Sequence, residues 1–275
     1  MLTLPCVILF RGIVMHKLKI PQQWLNKKLK IALIGCGGTG SEMFDELFRI
    51  HSLLIALGGD GFVLTAFDPK TVTHANIGRQ RFWPCDVGFN KAEVLVSRVN
   101  NFGNTTWSFQ NEDFDIEQVE EFNLIITCVD SPDVRAALGK KASKLNQVKK
   151  SVHSRSIPSP TFWLDCGNDA SQGNTILGHF LLGDAPLRIP NVYDLYPVLD
   201  SMDVKDEPSC STLAALEKQD YGINRSVARE AANLLWQFLR HGSLTHHGSY
   251  IDIKAGTVTP LMIDEKIWKS FRECA

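Results

Sequence analysis

Lys30-Ile31-Ala32-Leu33-Ile34-Gly35-Cys36-Gly37-Gly38-Thr39-Gly40-Ser41 constrains the fold more than any other stretch of the chain. An apolar run ends directly in a glycine-rich turn, and a helix-compatible segment follows. That is the strand–turn–helix opening of a nucleotide-binding α/β unit. Gly35 permits the tight turn off the strand. Gly37, with Gly38 beside it, lets the backbone approach a phosphate. Gly40 removes a Cβ where helix and strand pack. The N–H groups and dipole at the start of the next helix favour an anion. Taken alone, the motif says nucleotide and not which one.

A second motif narrows the choice. Gly61-Phe62-Val63-Leu64-Thr65-Ala66-Phe67-Asp68 is a β-rich run ending in an acid. Asp68 stands where the second strand should stop, so its carboxylate is expected in the crevice, accepting the ribose hydroxyls. It lies 28 residues past Gly40, further than the usual spacing of about 20. A long helix and the Gly58-Gly59-Asp60-Gly61 turn absorb the difference. The bland reading of Asp68 is a strand-end turn residue, since Asp68-Pro69 is a turn dipeptide.

The next segment does not suit a hydride-transfer enzyme. Val72 to Phe82 carries Asn76, Arg79, Gln80 and Arg81, and Lys91 follows. A dehydrogenase holds a pyrophosphate mainly with backbone, whereas a triphosphate calls for forked and point-charge donors. Leu124 to Val129 reads as another strand, ending at Asp130, where a carboxylate suits magnesium on phosphates. Arg135, one helical turn on, supports the site or pairs with Asp133; the structural role is preferred.

Gly35-Cys36-Gly37-Gly38-Thr39-Gly40, Asp68, Asn76-x-x-Arg79-Gln80, Lys91 and Cys128-Val129-Asp130-Ser131 together resemble the adenylation site of the ThiF/MoeB/HesA group of the ubiquitin-activating-enzyme superfamily. The resemblance spans roughly residues 28 to 260. Phe82-Trp83-Pro84, Trp163-Leu164-Asp165-Cys166-Gly167-Asn168 and Glu207-Pro208-Ser209-Cys210-Ser211 resemble, within that group, the ThiF family of the PRTRC genetic system. The resemblance implies an ATP- and magnesium-dependent enzyme. The C-terminal carboxylate of a small ubiquitin-like β-grasp protein attacks the α-phosphate, and pyrophosphate leaves. Arg79 and Lys91 would neutralise phosphate charge, Asp130 would hold magnesium, and Asn76 and Gln80 would orient phosphate or adenylate oxygens. A homodimer is also implied.

The chain departs from the group's pattern in three places. Lys70 stands where many relatives carry a second acid. The arginine often supplied by a partner subunit has no match: Arg11 is poorly placed, and Lys27, Lys28 and Lys30 read as a solvated basic stretch. The seven cysteines include no Cys-x-x-Cys pair, so no structural zinc is expected. Some relatives pass the acyl group to a cysteine. Cys210, ahead of a helix-compatible run, is the candidate, and the sequence leaves open an activated thiol or an inert, partly buried one.

The expected fold is α/β, a Rossmann-like doubly wound sheet, mostly parallel with antiparallel strands in the C-terminal part. Strands are expected at Lys30–Ile34, Phe62–Phe67, Thr105–Phe109, Leu124–Val129 and Phe162–Cys166. Helices are expected over 41–57, 90–100 and from Asp130 to about Leu145. Lys149–Pro160 reads as a loop or crossover. Thr175–Leu182 pairs antiparallel with the preceding strand, because the connection is too short for a helix. Gly183–Ser209 is turn-rich, within a crossover segment at 183–223. Ser226–Arg240 is a helix, and His246–Met262 a closing hairpin, with His246-His247 read as a solvated turn. Residues 28–265 form one adenylation domain. Residues 1–27 are an extension whose true start is expected at Met15.

The net charge of −1 argues against bulk attraction to nucleic acid or an anionic membrane. Seven unpaired-looking cysteines suit a reducing cytoplasm. Two other readings stay open: a nucleotide-binding interaction module of a plasmid or mobile element with little catalysis, and a nicotinamide-dependent oxidoreductase.

Overall fold

Ile31, Ala32, Leu33 and Ile34 are all buried, although alternate residues of a strand face opposite ways. Such a run belongs to a parallel strand covered on both faces. The computed structural model describes residues 16–25, 27–151, 159–200 and 219–273. In chain order its elements are β1 (Leu18–Lys19), α1 (Gln22–Leu25), β2 (Leu29–Ile34), α2 (Gly38–Ala56), β3 (Phe62–Phe67), α3 (Lys91–Gly103), β4 (Ser108–Gln110), β5 (Leu124–Thr127) and α4 (Pro132–Ser151). There follow β6 (Thr161–Asn168), β7 (Gln172–Leu181), α5 (Val192–Leu195), α6 (Ile223–His241), β8 (Ser243–Leu244), β9 (His246–Asp252), β10 (Thr257–Met262) and α7 (Glu265–Glu273).

Among the described residues the main sheet has eight strands in the order β10-β9-β7-β6-β5-β2-β3-β4. From β4 to β6 all pairings are parallel, and from β6 to β10 all are antiparallel. The chain is thus an α/β protein with a Rossmann-like sheet, as its sequence predicts. Chain order reverses at β2, which has β3 on one side and β5 on the other. Ligands of open α/β sheets bind at the carboxyl ends of the strands flanking such a point. Helices α2 and α6 cover one face, where a Cβ on Gly173 of β7 would meet Val227 of α6. Helix α4 docks on the other face, where Asn146 Nδ2 donates to Phe180 O at 2.8 Å and its Oδ1 accepts from Leu182 N.

Some boundaries differ from expectation for local reasons. Helix α2 starts at Gly38, because the last glycines form its first turn. Strand β4 starts at Ser108, because Asn100 caps the end of α3 by accepting from Thr105 Oγ1 and Trp107 N. Helix α4 continues past Leu145 to Ser151, six residues further on, taking in Lys149 and Lys150 of the expected loop. His246 and His247 are not in a solvated turn. They lie in β9, where His247 is fully buried between Leu177 O at 2.8 Å and Trp268 Nε1 at 2.8 Å. The turn-rich stretch after Gly183 holds α5, capped by Asn191.

Trp24 of α1 packs edge-on against Phe162 and Phe238, so residues ahead of β2 are seated on the core. Beyond residue 265, Trp268 of α7 packs edge-on against His247, and Phe271 stacks on Tyr250. Residues 1–15, Cys210 and the rest of 201–218 lie outside the described residues. Among the described residues no helix is long and apolar enough to cross a membrane.

Candidate functional site

The glycine turn closes at the carboxyl end of β2. Gly35 has φ +89°, and its N–H donates to Phe67 O at 2.9 Å, joining the tips of β2 and β3. A Cβ on Gly40 would sit 1.9 Å from Gly35 O, and one on Gly38 would sit 2.8 Å from the Asn224 amide. Those two glycines therefore serve packing. A Cβ on Gly37 would meet nothing within 4 Å. Gly37 thus borders open space, at the point where α2 presents its unpaired first-turn N–H groups. An anion fits there.

Asp68, at the tip of β3, is 5% exposed and held from both sides. Its Oδ2 accepts from Cys36 N at 2.7 Å and its Oδ1 from Lys70 N at 2.8 Å. Its peptide carbonyl accepts from Asn90 Nδ2 at 2.7 Å. Each carboxylate oxygen keeps a second lone pair for a ligand hydroxyl. Lys70 contributes through its main chain.

The segment between β3 and α3 divides its polar residues between structure and crevice. Asn76 Oδ1 accepts from Thr73 N at 2.9 Å and from Thr73 Oγ1 at 3.2 Å, capping a single 3-10 turn. Gln80 is buried, and its Oε1 has no partner among the described residues. Arg81 pairs with Asp45. Arg98 pairs with Asp86 at 2.8 Å and stacks 4.0 Å over the ring of Trp83, which is 48% exposed.

Arg79 and Lys91 are different. Neither makes an ion pair with a described carboxylate. Burial pushes the Arg79 guanidinium below the usual arginine range, opposed by the charge of Asp130. Burial likewise lowers Lys91, which is 6% exposed, and Asp68 opposes that. Lys91 feels Asp68, Lys70 and Arg79, and Arg79 feels Asp130, so the two cations and the two acids lie near one another beyond the strand tips. Asp130 is exposed, just past the tip of β5.

Arg135 does not pair with Asp133. Its Nε donates to the buried Asp165 carboxylate at 2.7 Å, and Asp165 also accepts from Thr127 Oγ1 at 2.5 Å. Asp165 is a residue the sequence reading left without a role. Its signal was a lone acid inside the apolar run of β6. Cys36, Cys128 and Cys166 are buried free thiols. Burial pushes Cys36 well up, and the hydrogen bond with Cys166 followed by burial does the same for Cys128. Such thiols are poor nucleophiles. Thr39 links the turn to Asn168 at 2.9 Å and to Asn224 at 3.0 Å, and Asn224 is another residue the sequence did not single out.

A profile of the ThiF family matches residues 13–159. The chain belongs to the ThiF family. Among solved structures, this ThiF-family chain is similar to PaaA in its selenomethionine form, with a TM-score of 0.56 at 15% identity, over 87% of this chain and 65% of that one. It is also similar to MccB of E. coli, with a TM-score of 0.54 at 16% identity, over 86% of this chain and 62% of that one. MccB of E. coli with ATP gives a TM-score of 0.51 at 16% identity, over 86% and 64%. The likeness is one of fold. The chain spans less than two thirds of the length of each of these relatives.

Proposed function

We propose that this ThiF-family chain adenylates the C-terminal carboxylate of a small protein, with ATP as the nucleotide donor. The observation that carries the reading is the pair Arg79 and Lys91. Both are partly or wholly buried, neither makes an ion pair with a described carboxylate, and both lie near an open glycine turn at a helix N-terminus. A site built that way has spare positive charge for a polyanion. The fold likeness adds support, since MccB has been solved with ATP and with AMPCPP together with MccA.

In this reading the ribose sits on the free lone pairs of Asp68, and phosphates lie over Gly37 and Gly38 at the start of α2. The substrate carboxylate attacks the α-phosphorus, the bond to the bridging oxygen breaks, and pyrophosphate leaves with the electron pair. Repulsion between carboxylate and triphosphate is the main barrier that the site can lower. Arg79 and Lys91 lower it by fixed charge and alignment. The Asn76 amide nitrogen and Gln80 orient phosphate oxygens. Asp130 would hold magnesium, which would screen the phosphates.

The finer reading gives the substrate as a ubiquitin-like β-grasp protein, the enzyme as a homodimer of the PRTRC branch, residues 28–265 as the adenylation domain, and Cys210 as a thioester acceptor. The test is pyrophosphate exchange into ATP with a ubiquitin-like protein ending in a free glycine carboxylate, compared with the same protein amidated at that end. Exchange is expected only with the free carboxylate. Arg79→Ala or Lys91→Ala should lower it about 100-fold or more. Exchange that survives Arg79→Ala intact overturns the assignment. A covalent adduct formed by the parent chain and absent from Cys210→Ser would support the thioester step.

A further inference from the structure

Three arginines serve the segment between β3 and α3, and their partners differ in charge. Arg81 is neutralised by Asp45 and Arg98 by Asp86. Arg79 Nη1 donates instead to the amide oxygen of Gln219 at 3.1 Å, across 140 residues of sequence. Its buried Nε has no partner among the described residues. An arginine carries no acceptor, so the Gln219 amide must turn its oxygen towards it. The same oxygen accepts from Asn224 Nδ2 at 3.3 Å. Asn224 Oδ1 accepts the hydroxyl of Thr39, inside the glycine turn, at 3.0 Å. The next residue pins the main chain of Gln219: Asp220 N donates to Ala170 O at 2.8 Å, and the Asp220 carboxylate meets Lys254 Nζ at 3.3 Å.

A neutral oxygen can orient a guanidinium without cancelling its charge; a carboxylate does both. We propose that Gln219 is a positioning residue for Arg79. Its amide fixes the direction of the guanidinium, leaves the whole charge for a nucleotide phosphate, and ties it through Asn224 and Thr39 to the turn that receives the same nucleotide. The inference rests on the adenylation reading, because it needs a polyphosphate in the crevice.

Glutamate is the discriminating substitution, being isosteric with glutamine. If Gln219 only packed or braced its surroundings, Gln219→Glu would be milder than Gln219→Ala. If Gln219 holds Arg79 available for phosphate, Gln219→Glu is the worse of the two, because its carboxylate captures the arginine. The experiment measures ATP affinity of the full chain by isothermal calorimetry for the parent, Gln219→Ala, Gln219→Met and Gln219→Glu, with melting curves alongside. Ala and Met should weaken ATP about threefold, and Glu about tenfold or more. Glu binding as well as Ala, or better, overturns the proposal and leaves the adenylation reading standing. Should Gln219→Glu fail to fold, undiminished affinity in Gln219→Met overturns it equally. A parent chain that binds no ATP removes the adenylation reading, and this inference with it.

Discussion

The Asp68 carboxylate accepts the backbone N–H of Cys36 at 2.7 Å, so the acid at the tip of β3 holds the glycine turn at the tip of β2. The other carboxylate oxygen holds Lys70 N at 2.8 Å. The acid proposed above to hold a ribose is therefore also a clamp on the glycine turn. Asp68→Asn keeps the shape but offers one acceptor oxygen to two donors. We expect it to lower the unfolding free energy by about 2 kcal/mol, since hydrogen bonds to charged groups contribute about 1.5–3 kcal/mol. ATP affinity should fall in the same variant. Urea denaturation and calorimetry would measure the two effects. A variant with parental stability would show that Asp68 does not hold the turn.

Two glycines three residues apart should separate folding from binding. A Cβ on Gly40 would lie 1.9 Å from Gly35 O, a backbone atom that cannot step aside without opening the turn. Gly40→Ala should cost about 3 kcal/mol or more in stability. A Cβ on Gly37 meets nothing within 4 Å. Gly37→Ala should lose less stability than Gly40→Ala yet bind ATP about tenfold more weakly than the parent, because the methyl group would occupy the approach of the phosphates. Parental affinity in a well-folded Gly37→Ala would remove the phosphates from this turn.

What the sequence made legible was what depends on near neighbours. A continuous apolar run can be satisfied only by a strand buried on both faces, and Gly35 to Gly40 lie within one turn of each other, so β2 and its turn were readable. Asp68 was readable from its place at a strand end. The structural role of Arg135 was readable but its partner was not, because Asp165 lies 30 residues on and meets it only once β5 and β6 are paired. The same holds for Gln219, an ordinary polar residue in sequence whose role appears when Arg79 lies against it. His247 looked solvated beside His246, but β9 turns it inwards to Leu177 and Trp268. The Asn76 oxygen accepts from Thr73 within its own turn, a local bond that leaves the amide nitrogen for a ligand.

The Arg135–Asp165 pair is buried beside the crevice, with Asp165 only 1% exposed. Trp163 Nε1 donates to Thr127 Oγ1 at 2.8 Å, and Thr127 in turn supports Asp165. Arg135→Ala strands a buried carboxylate and should cost about 3–5 kcal/mol. The double variant Arg135→Met with Asp165→Leu removes both charges and should cost less than Arg135→Ala alone. A double-mutant cycle by urea denaturation would read the coupling, expected at about 2 kcal/mol. Additive costs would mean that the two groups do not depend on one another.

Buried histidines should set the acid limit of the fold. Burial lowers His179 and His247 from the ordinary 6.5 to about 4. His179 Nδ1 accepts from Ile189 N, and His247 Nε2 accepts from Trp268 Nε1, so both rings are held neutral. As the pH falls below 6.5 the unfolded chain takes up protons that the folded chain refuses. Stability is therefore complete above about pH 6.5, declines as the pH falls towards 4, and levels off where the folded rings protonate. Each histidine contributes up to about 3 kcal/mol to that decline. Unfolding free energies measured between pH 7 and pH 4 should follow this course, and His247→Gln should make it shallower. A chain as stable near pH 4.5 as at pH 7 would show that these imidazoles are not held neutral by burial.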